Sequence, residues 1–299
     1  DPIPSRGLGD VYKRQTRNSP SLWNVIFLKR FLWDARETSL EGQVLGPLFS
    51  PREMATSPEQ VLQKLNSNTH YPKMFVQAFP DSDGEITLQQ LATAIAAFES
   101  SLISLNSRYD QYAHGHHEAL NANEIAGLNI FRSFVARCSE CHTPPLFTNQ
   151  QIAVIGTPEP EGKPLDIGAE KTFNAPKLKG GFKVPSLRNI TKSAPYMHSG
   201  NFADLRDATE FYNKGRGHAV PEGTKMQIHW HIWEPKLSDD EIDRIVDFLG
   251  ALTDESLKPR IPERVPSGLT VLTDNRYHAG RAIQTSNSET QQYSVEMNQ

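Results

Sequence analysis

Apolar residues recur at three- and four-residue spacing in several stretches of the chain, and that period predicts helices. Over Thr87–Ile103 the residues Leu88, Leu91, Ile95, Phe98 and Leu102 fall on one face, and the alanines between them favour helix. A second helix is expected from about Ala122 to Val135, with Ile125, Leu128, Phe131 and Phe134/Val135 turned inward. Ser238-Asp239-Asp240-Glu241 reads as a capping box. It opens a helix whose stripe is Ile242, Ile245, Val246, Leu249 and Leu252. Shorter helices are expected at Ser39–Leu45, ended by Gly46-Pro47, and after Ser57-Pro58-Glu59-Gln60, which supplies an N-cap, a first-turn proline and an acid. Residues 143 to 185 are rich in Pro, Gly and Lys and read as a long loop. From Ser286 onward the tail is polar and expected to be disordered. There is no internal repeat, and the predicted fold class is mostly α.

Hydrophobic content of 37% is low, and 21 prolines with 19 glycines suggest long loops around short helices. Such a chain suits a module in which a prosthetic group fills much of the core. A net charge of −4 over 299 residues argues against a nucleic-acid footprint. No run approaches the ~18 apolar residues of a membrane span. Asp1 to Gln15 has neither an apolar core nor a small-residue cleavage site, so it is not read as a signal peptide. It resembles nothing after it, and residues 1–15 are expected to be a non-native leader. Asp81-Ser82-Asp83-Gly84 resembles the start of a calcium loop but lacks the later acidic ligands, so a surface turn is expected.

The chemistry is concentrated in Cys138-Ser139-Glu140-Cys141-His142, which holds both cysteines of the chain. C-x-x-C-H is the attachment signature of a c-type haem. Two thioethers fix the porphyrin vinyls, and His142 is placed to ligate the iron. One turn separates the sulfurs, so both face one macrocycle edge. A structural zinc site needs about four ligands and no second cysteine pair exists. A thioredoxin-like C-x-x-C should follow a strand, whereas this one follows a helical pattern. A plain disulfide would not require the histidine. Residues 143 to 185 would then lie over the haem edge. Covalent attachment of haem implies a periplasmic protein.

Several further motifs, in one order, carry a family resemblance. Arg17-Asn18-Ser19-Pro20-Ser21-Leu22-Trp23-Asn24, Phe31-Leu32-Trp33-Asp34-Ala35-Arg36, Ser39-Leu40-Glu41-Gly42-Gln43 and Gly46-Pro47 with Glu53-Met54 precede the haem motif. Phe182-Lys183-Val184-Pro185-Ser186-Leu187-Arg188-Asn189, Ala194-Pro195-Tyr196-Met197-His198-Ser199-Gly200 and Leu205 to Tyr212 follow it. Together, over about residues 17 to 255, they resemble the bacterial di-haem cytochrome c peroxidases and MauG-type enzymes. Ala35 replaces the glycine of the usual Trp-Asp-Gly-Arg. The family has one C-x-x-C-H motif per domain, and only the second is present here. The resemblance therefore implies two cytochrome c-like lobes, the N-terminal one truncated. The expected organisation is a leader (1–15), the remainder of the peroxidatic domain (16–115), a C-terminal domain with covalent haem (116–262) and a tail (263–299).

The resemblance also implies roles. Glu53 matches an acid–base group above the open face of the first haem, with Gln43 and Pro47 on the same face. Trp33 matches a tryptophan between the two haems, where an electron relay competes with plain packing. Asn18 and the carbonyls of Ser193 and Pro195 match a calcium site. The residues alone leave the sixth ligand of the second haem open among Met197, Met226, His198, His229 and His231. Alignment on the family motif points instead to Tyr212, a methionine in the peroxidases and a tyrosine in MauG-type enzymes, with His198 in supporting structure. Leu205 and Tyr212, seven residues apart, should share a helix face. The implied cofactors are haem c, one covalent here and two in an intact member, and calcium. The implied partners are hydrogen peroxide and either a donor cytochrome c or cupredoxin or a protein substrate, in a homodimer. The alternative is a mono-haem electron carrier without peroxide chemistry.

Overall fold

The computed structural model describes residues 16–256 and 259–269. The expected leader and most of the polar tail lie outside the described residues. The chain divides into two compact units, one comprising Asp1–Val61 with Thr87–Lys258, the other Leu62–Ile86 with Pro259–Gln299. The fold is mostly helical, as the periodicity predicts.

In chain order the elements are α1 (Leu40–Phe49), α2 (Pro58–Asn66), α3 (Tyr71–Ala78), α4 (Leu88–Ser100), α5 (Arg108–Ala113), α6 (Ala122–Phe131), α7 (Cys138–Cys141), β1 (Ile152–Val154), α8 (Ala169–Phe173), β2 (Gly181–Lys183), α9 (Leu205–Lys214) and α10 (Asp239–Gly250), with short 3-10 turns between them. Side-chain caps fix the starts. Thr87, Asn121 and Ser238 each accept the N3 amide while Gln90, Glu124 and Glu241 reach back, which satisfies amides the helix leaves unpaired. Ser57 caps α2 as expected, accepting the Gln60 amide, and the Gln60 side chain reaches back to the Ser57 amide.

In the larger unit α6 packs against α10. Leu128 and Phe131 meet Ile245, Phe248, Leu249 and Leu252, with Phe147 between them. The approach is so close that a Cβ on Gly127 would lie 1.8 Å from the carbonyl oxygen of Arg244. Each large side chain buried there contributes about 1.5–3 kcal/mol. A second cluster joins Val25, Phe31 and Leu40 of the N-terminal segment to Ala96 on α4. In the smaller unit the Asn66 side chain brackets Ile86, accepting its N–H at 2.8 Å and donating to its carbonyl at 3.1 Å. Asp83 accepts the Glu85 amide in a turn, as expected for a surface loop.

Four expectations need correction. The first helix does not stop at Gly46-Pro47 but runs to Phe49 with Pro47 inside it. The carbonyls of Pro47 and Leu48 are capped from outside by the amides of Met54 and Thr56, so the helix end does not depend on its own ladder. The buried face of α4 is Leu91, Ala92, Ala96 and Glu99, and Phe98 is 57% exposed. Close packing against α1 selects the alanines rather than the largest residues. Helix α6 ends at Phe131, and Phe134 and Val135 are exposed. Finally, residues 143 to 185 are not one loop. Strands β1 and β2 pair antiparallel within it, with Ala153 opposite Phe182, and α8 lies between them. Three-residue strands carry too few positions to show a period of two.

Candidate functional site

The cysteine motif forms a single helical turn. The amide of His142 closes it by donating to the Cys138 carbonyl at 2.9 Å. Arg137 enters with a left-handed backbone, φ 56°. Its guanidinium is held over the rings of Phe134 and Trp233, at 4.1 and 4.0 Å from their centroids. The Trp233 indole N–H donates to the Val135 carbonyl at 2.9 Å. These contacts fix the approach to Cys138. Both cysteines are free, and burial pushes the Cys138 thiol up to about 12.

His142 is anchored by one ring nitrogen. Its Nδ1 lies 3.1 Å from the Phe147 carbonyl, which selects the tautomer that leaves Nε2 for a metal. Burial lowers its pKa, so the neutral, ligating form is favoured. Phe147 is itself fully buried. The loop before it is held by Arg188, whose Nε donates to the Pro145 carbonyl at 2.8 Å. Arg188 is in turn locked to Asp110 on α5, with Nη2 to Oδ1 at 2.7 Å.

Cys138, Cys141 and His142 open onto one large cavity, with about 260 Å³ open to the centre of a water molecule. Its wall is mainly apolar, with Phe131, Leu187, Ile190, Ala208, Ile245 and Leu249 among its residues. Helix α9 contributes Leu205 and Tyr212, which share the inward face as their spacing predicts. Asp204 caps α9 through the Asp207 amide and sets its register. Phe211 points elsewhere and packs against Phe202 and His218. Burial raises the Tyr212 pKa, and Cys141 and Cys138, which line the same cavity, raise it further. The donor set and the apolar wall fit a haem held by two thioethers and an axial imidazole.

The other expected residues divide. Trp33 and Gln43 line the same cavity, and so do Asn18, Ser193, Pro195, Met197, His198 and His231. Met226, His229, Pro47 and Glu53 are not among the lining residues. Glu53 is exposed in the turn after α1, which the Met54 amide folds back onto the Pro47 carbonyl at 3.2 Å. Gln43 is buried, and its Oε1 has no hydrogen-bond partner among the described residues. The Trp33 indole donates to the Asn18 carbonyl at 2.7 Å. Its ring meets Phe182 and His198 edge-on, at 6.4 Å each. His198 stacks on Phe182 at 3.8 Å, and its Nε2 lies 2.8 Å from Glu159 Oε1. The Asn18 amide donates from Nδ2 to the Pro195 carbonyl at 2.6 Å, so two members of the expected calcium set meet. A cation there needs the amide turned to present Oδ1.

Sequence reasoning missed the support beneath this cluster. Arg17 binds Asp166 through two nitrogens and Asp34 through a third, and its guanidinium lies over Phe182 at 5.6 Å. The only signal was that Arg17 opens the Arg-Asn-Ser-Pro run. Lys183 was read only as part of its motif, yet it is 8% exposed and lines the cavity.

Comparison with known proteins identifies the family. The family described as di-haem cytochrome c peroxidase matches residues 3–118. The cytochrome c551 peroxidase of Nitrosomonas europaea is 30% identical over 261 residues, covering 87% of this chain and 72% of that protein. The methylamine utilization protein MauG of Methylophilus methylotrophus is 28% identical, covering 83% of this chain and 72% of its own. The crystal structure of a MauG-like protein associated with microbial copper homeostasis superposes with a TM-score of 0.74 at 28% identity, covering 83% of this chain and 79% of that one. The diheme peroxidase BthA from Burkholderia thailandensis gives 0.69 at 26% identity, covering 87% and 77%. The cysteine motif, the cavity it opens onto and this likeness across most of the chain agree: the protein belongs to the di-haem cytochrome c peroxidase and MauG family.

Proposed function

We propose that this chain is a periplasmic c-type haem oxidoreductase that reduces hydrogen peroxide and is MauG-like in its axial ligation. The observation that carries the reading is the convergence of Cys138, Cys141, His142 and Tyr212 on one apolar cavity. Cys138 and Cys141 would hold the prosthetic group through their sulfurs, and His142 and Tyr212 would ligate its iron. A c-type haem supplies one-electron transfer, with a potential set by those axial ligands. With Nδ1 held by the Phe147 carbonyl, His142 would ligate through Nε2. Tyr212 would bind a metal as its phenolate, against the burial that favours the protonated phenol.

Reduction of peroxide takes two electrons and two protons and yields two water molecules. Glu53 is the group that moves a proton from one peroxide oxygen to the other, a service worth about 10²–10⁴-fold. Gln43 presents its free Oε1, and Pro47 shapes the same face. Trp33, edge-on to Phe182 and His198, relays electrons between the lobes at 16–115 and 116–262. Calcium is held by Asn18 with the carbonyls of Ser193 and Pro195, which favour a hard cation. The donor is a small cytochrome c or cupredoxin, or the substrate is a side chain of a partner protein, and the enzyme acts as a homodimer. Among the described residues no helix is long and apolar enough to cross a membrane.

The second reading is a mono-haem electron carrier, favoured by the single attachment motif in 299 residues. Haem per chain and peroxide turnover separate the two. The expected result is one covalent haem, lost in Cys138→Ala/Cys141→Ala, and little peroxide turnover until an upstream C-x-x-C-H segment is supplied, after which Glu53→Gln lowers the restored turnover. Covalent haem stain that survives the double cysteine change overturns the haem assignment. Peroxide turnover still absent from a fully loaded protein with that segment selects the carrier.

A further inference from the structure

Among the described residues, Lys183 is a buried cation without a counter-charge. It ends β2 opposite Ile152, and its amide donates to the Trp33 carbonyl at 2.8 Å. The residue is 8% exposed and lines the cavity. Burial pushes its ammonium down to about 8, and no carboxylate offsets that effect. Among the described residues the cavity wall holds a second cation, Arg137, but no aspartate or glutamate. Arg137 is already engaged, stacked over Phe134 and Trp233. A buried ammonium is costly unless it is paired. The chain leaves this pairing to whatever fills the cavity, so the occupant must bring the anion.

We propose that Lys183 binds a carboxylate of the prosthetic group, one of the two propionates that remain ionised when Cys138 and Cys141 consume the vinyls. The inference rests on the haem reading of the cavity and deepens it. The rigid placement of Lys183 by the strand and by Trp33 means that the ammonium would orient the macrocycle about its thioether edge. It would also favour the reduced state, because a positive charge nearby stabilises an added electron.

The test uses the whole holoprotein from a host that attaches haem covalently. Resonance Raman follows the propionate-bending band, and spectroelectrochemistry gives the reduction potential. In the unmodified protein the band should shift between H₂O and D₂O, since the donor is an exchangeable N–H. Lys183→Met should abolish that shift and lower the potential. Lys183→Arg, which keeps the charge, should restore both. A wild-type band that ignores D₂O overturns the proposal without any variant, which covers the case in which Lys183→Met does not accumulate. Unchanged band and potential in Lys183→Met also overturn it, as does a wild-type potential that tracks chloride concentration, which would assign Lys183 to a diffusible anion. Missing covalent haem in the wild type is a failure of the haem reading itself. Haem present with an unresponsive band is a failure of Lys183 alone.

Discussion

Replacing Asp110 with Asn should cost this protein about 3–5 kcal/mol, the usual loss when one partner of a buried pair is removed. The Arg188 side chain is 1% exposed and that of Asp110 10%. Arg188 Nη2 meets Asp110 Oδ1 at 2.7 Å, and Nη1 meets Oδ2 at 2.5 Å. At 2.7 Å and an effective dielectric of ~20 the attraction is about 6 kcal/mol, of which desolvation cancels part. Asparagine keeps the shape but removes the charge. The guanidinium then keeps one neutral amide oxygen, the Pro145 carbonyl and the Ser107 hydroxyl, but no counter-charge. For a protein of this size each kcal/mol moves the melting temperature by about 2–4 °C, so a fall of roughly 6–20 °C is expected. The effect reaches the site, because Pro145 lies in the loop that carries the His142 acceptor. The assay is thermal unfolding of the holoprotein followed by near-ultraviolet circular dichroism at pH 7. Asp110→Asn/Arg188→Met should be more stable than Asp110→Asn, since it leaves no uncompensated charge. A single variant within ~1 kcal/mol of wild type, or a double variant whose loss is the sum of the singles, would refute the reasoning.

Gly127→Ala should destabilise by several kcal/mol, because its Cβ would overlap the Arg244 carbonyl at 1.8 Å and force α6 from α10; denaturant midpoints would show it. Tyr212→Met should raise the haem reduction potential and Tyr212→Phe should leave a water-ligated or open iron, both read from ferric spectra and potentiometry. If both variants keep the parent spectrum, the ligand is another residue, and Met197 is the first candidate. Acid should unfold the protein through Asp166 and Asp110. Burial opposes their ionisation, but Arg17 and Arg188 overturn it and hold both carboxyls below the ordinary 3.8. A depressed folded pKa gives stability that is present above 3.8 and lost as pH falls through the folded value. Asp166→Asn should flatten that acid limb in a stability–pH titration, and an unchanged limb would remove Asp166 from the account.

Much of the helical scaffold was legible because its signals are local. The Ser238 box and the Ile242, Ile245 and Leu249 stripe lie within one element, so period and cap chemistry locate α10 unaided. The inner face of α4 was misread because it is chosen by its neighbour. Ala92 and Ala96 are buried where α1 comes close, and the larger Phe98 is turned out. The polar spine through Asn24, Ser104, Asn189 and Asp254 gave no signal at all. The Asn24 amide brackets Ser104, whose hydroxyl meets both Asn189 and Asp254. The bonded pairs are separated by up to 150 positions in the chain. No local rule connects them.

The site shows the same division between chemistry that is written in sequence and chemistry that the fold assembles. Cys138, Cys141 and His142 are adjacent, so covalent geometry alone demands their spacing. Tyr212 is 70 positions further on and was legible only through a family pattern. That it lines the same cavity as the two thiols is a tertiary fact, set by where α9 packs. Lys183 is the extreme case. In sequence it is one lysine among many, and lysines are normally solvated. Only the absence of any carboxylate from the wall around it turns a bland residue into a demand for an anion. Charges that a fold buries without a partner are therefore better guides to a missing ligand than charges that the fold already pairs. Arg188 illustrates the contrast, since Asp110 answers it completely and it asks nothing of a ligand.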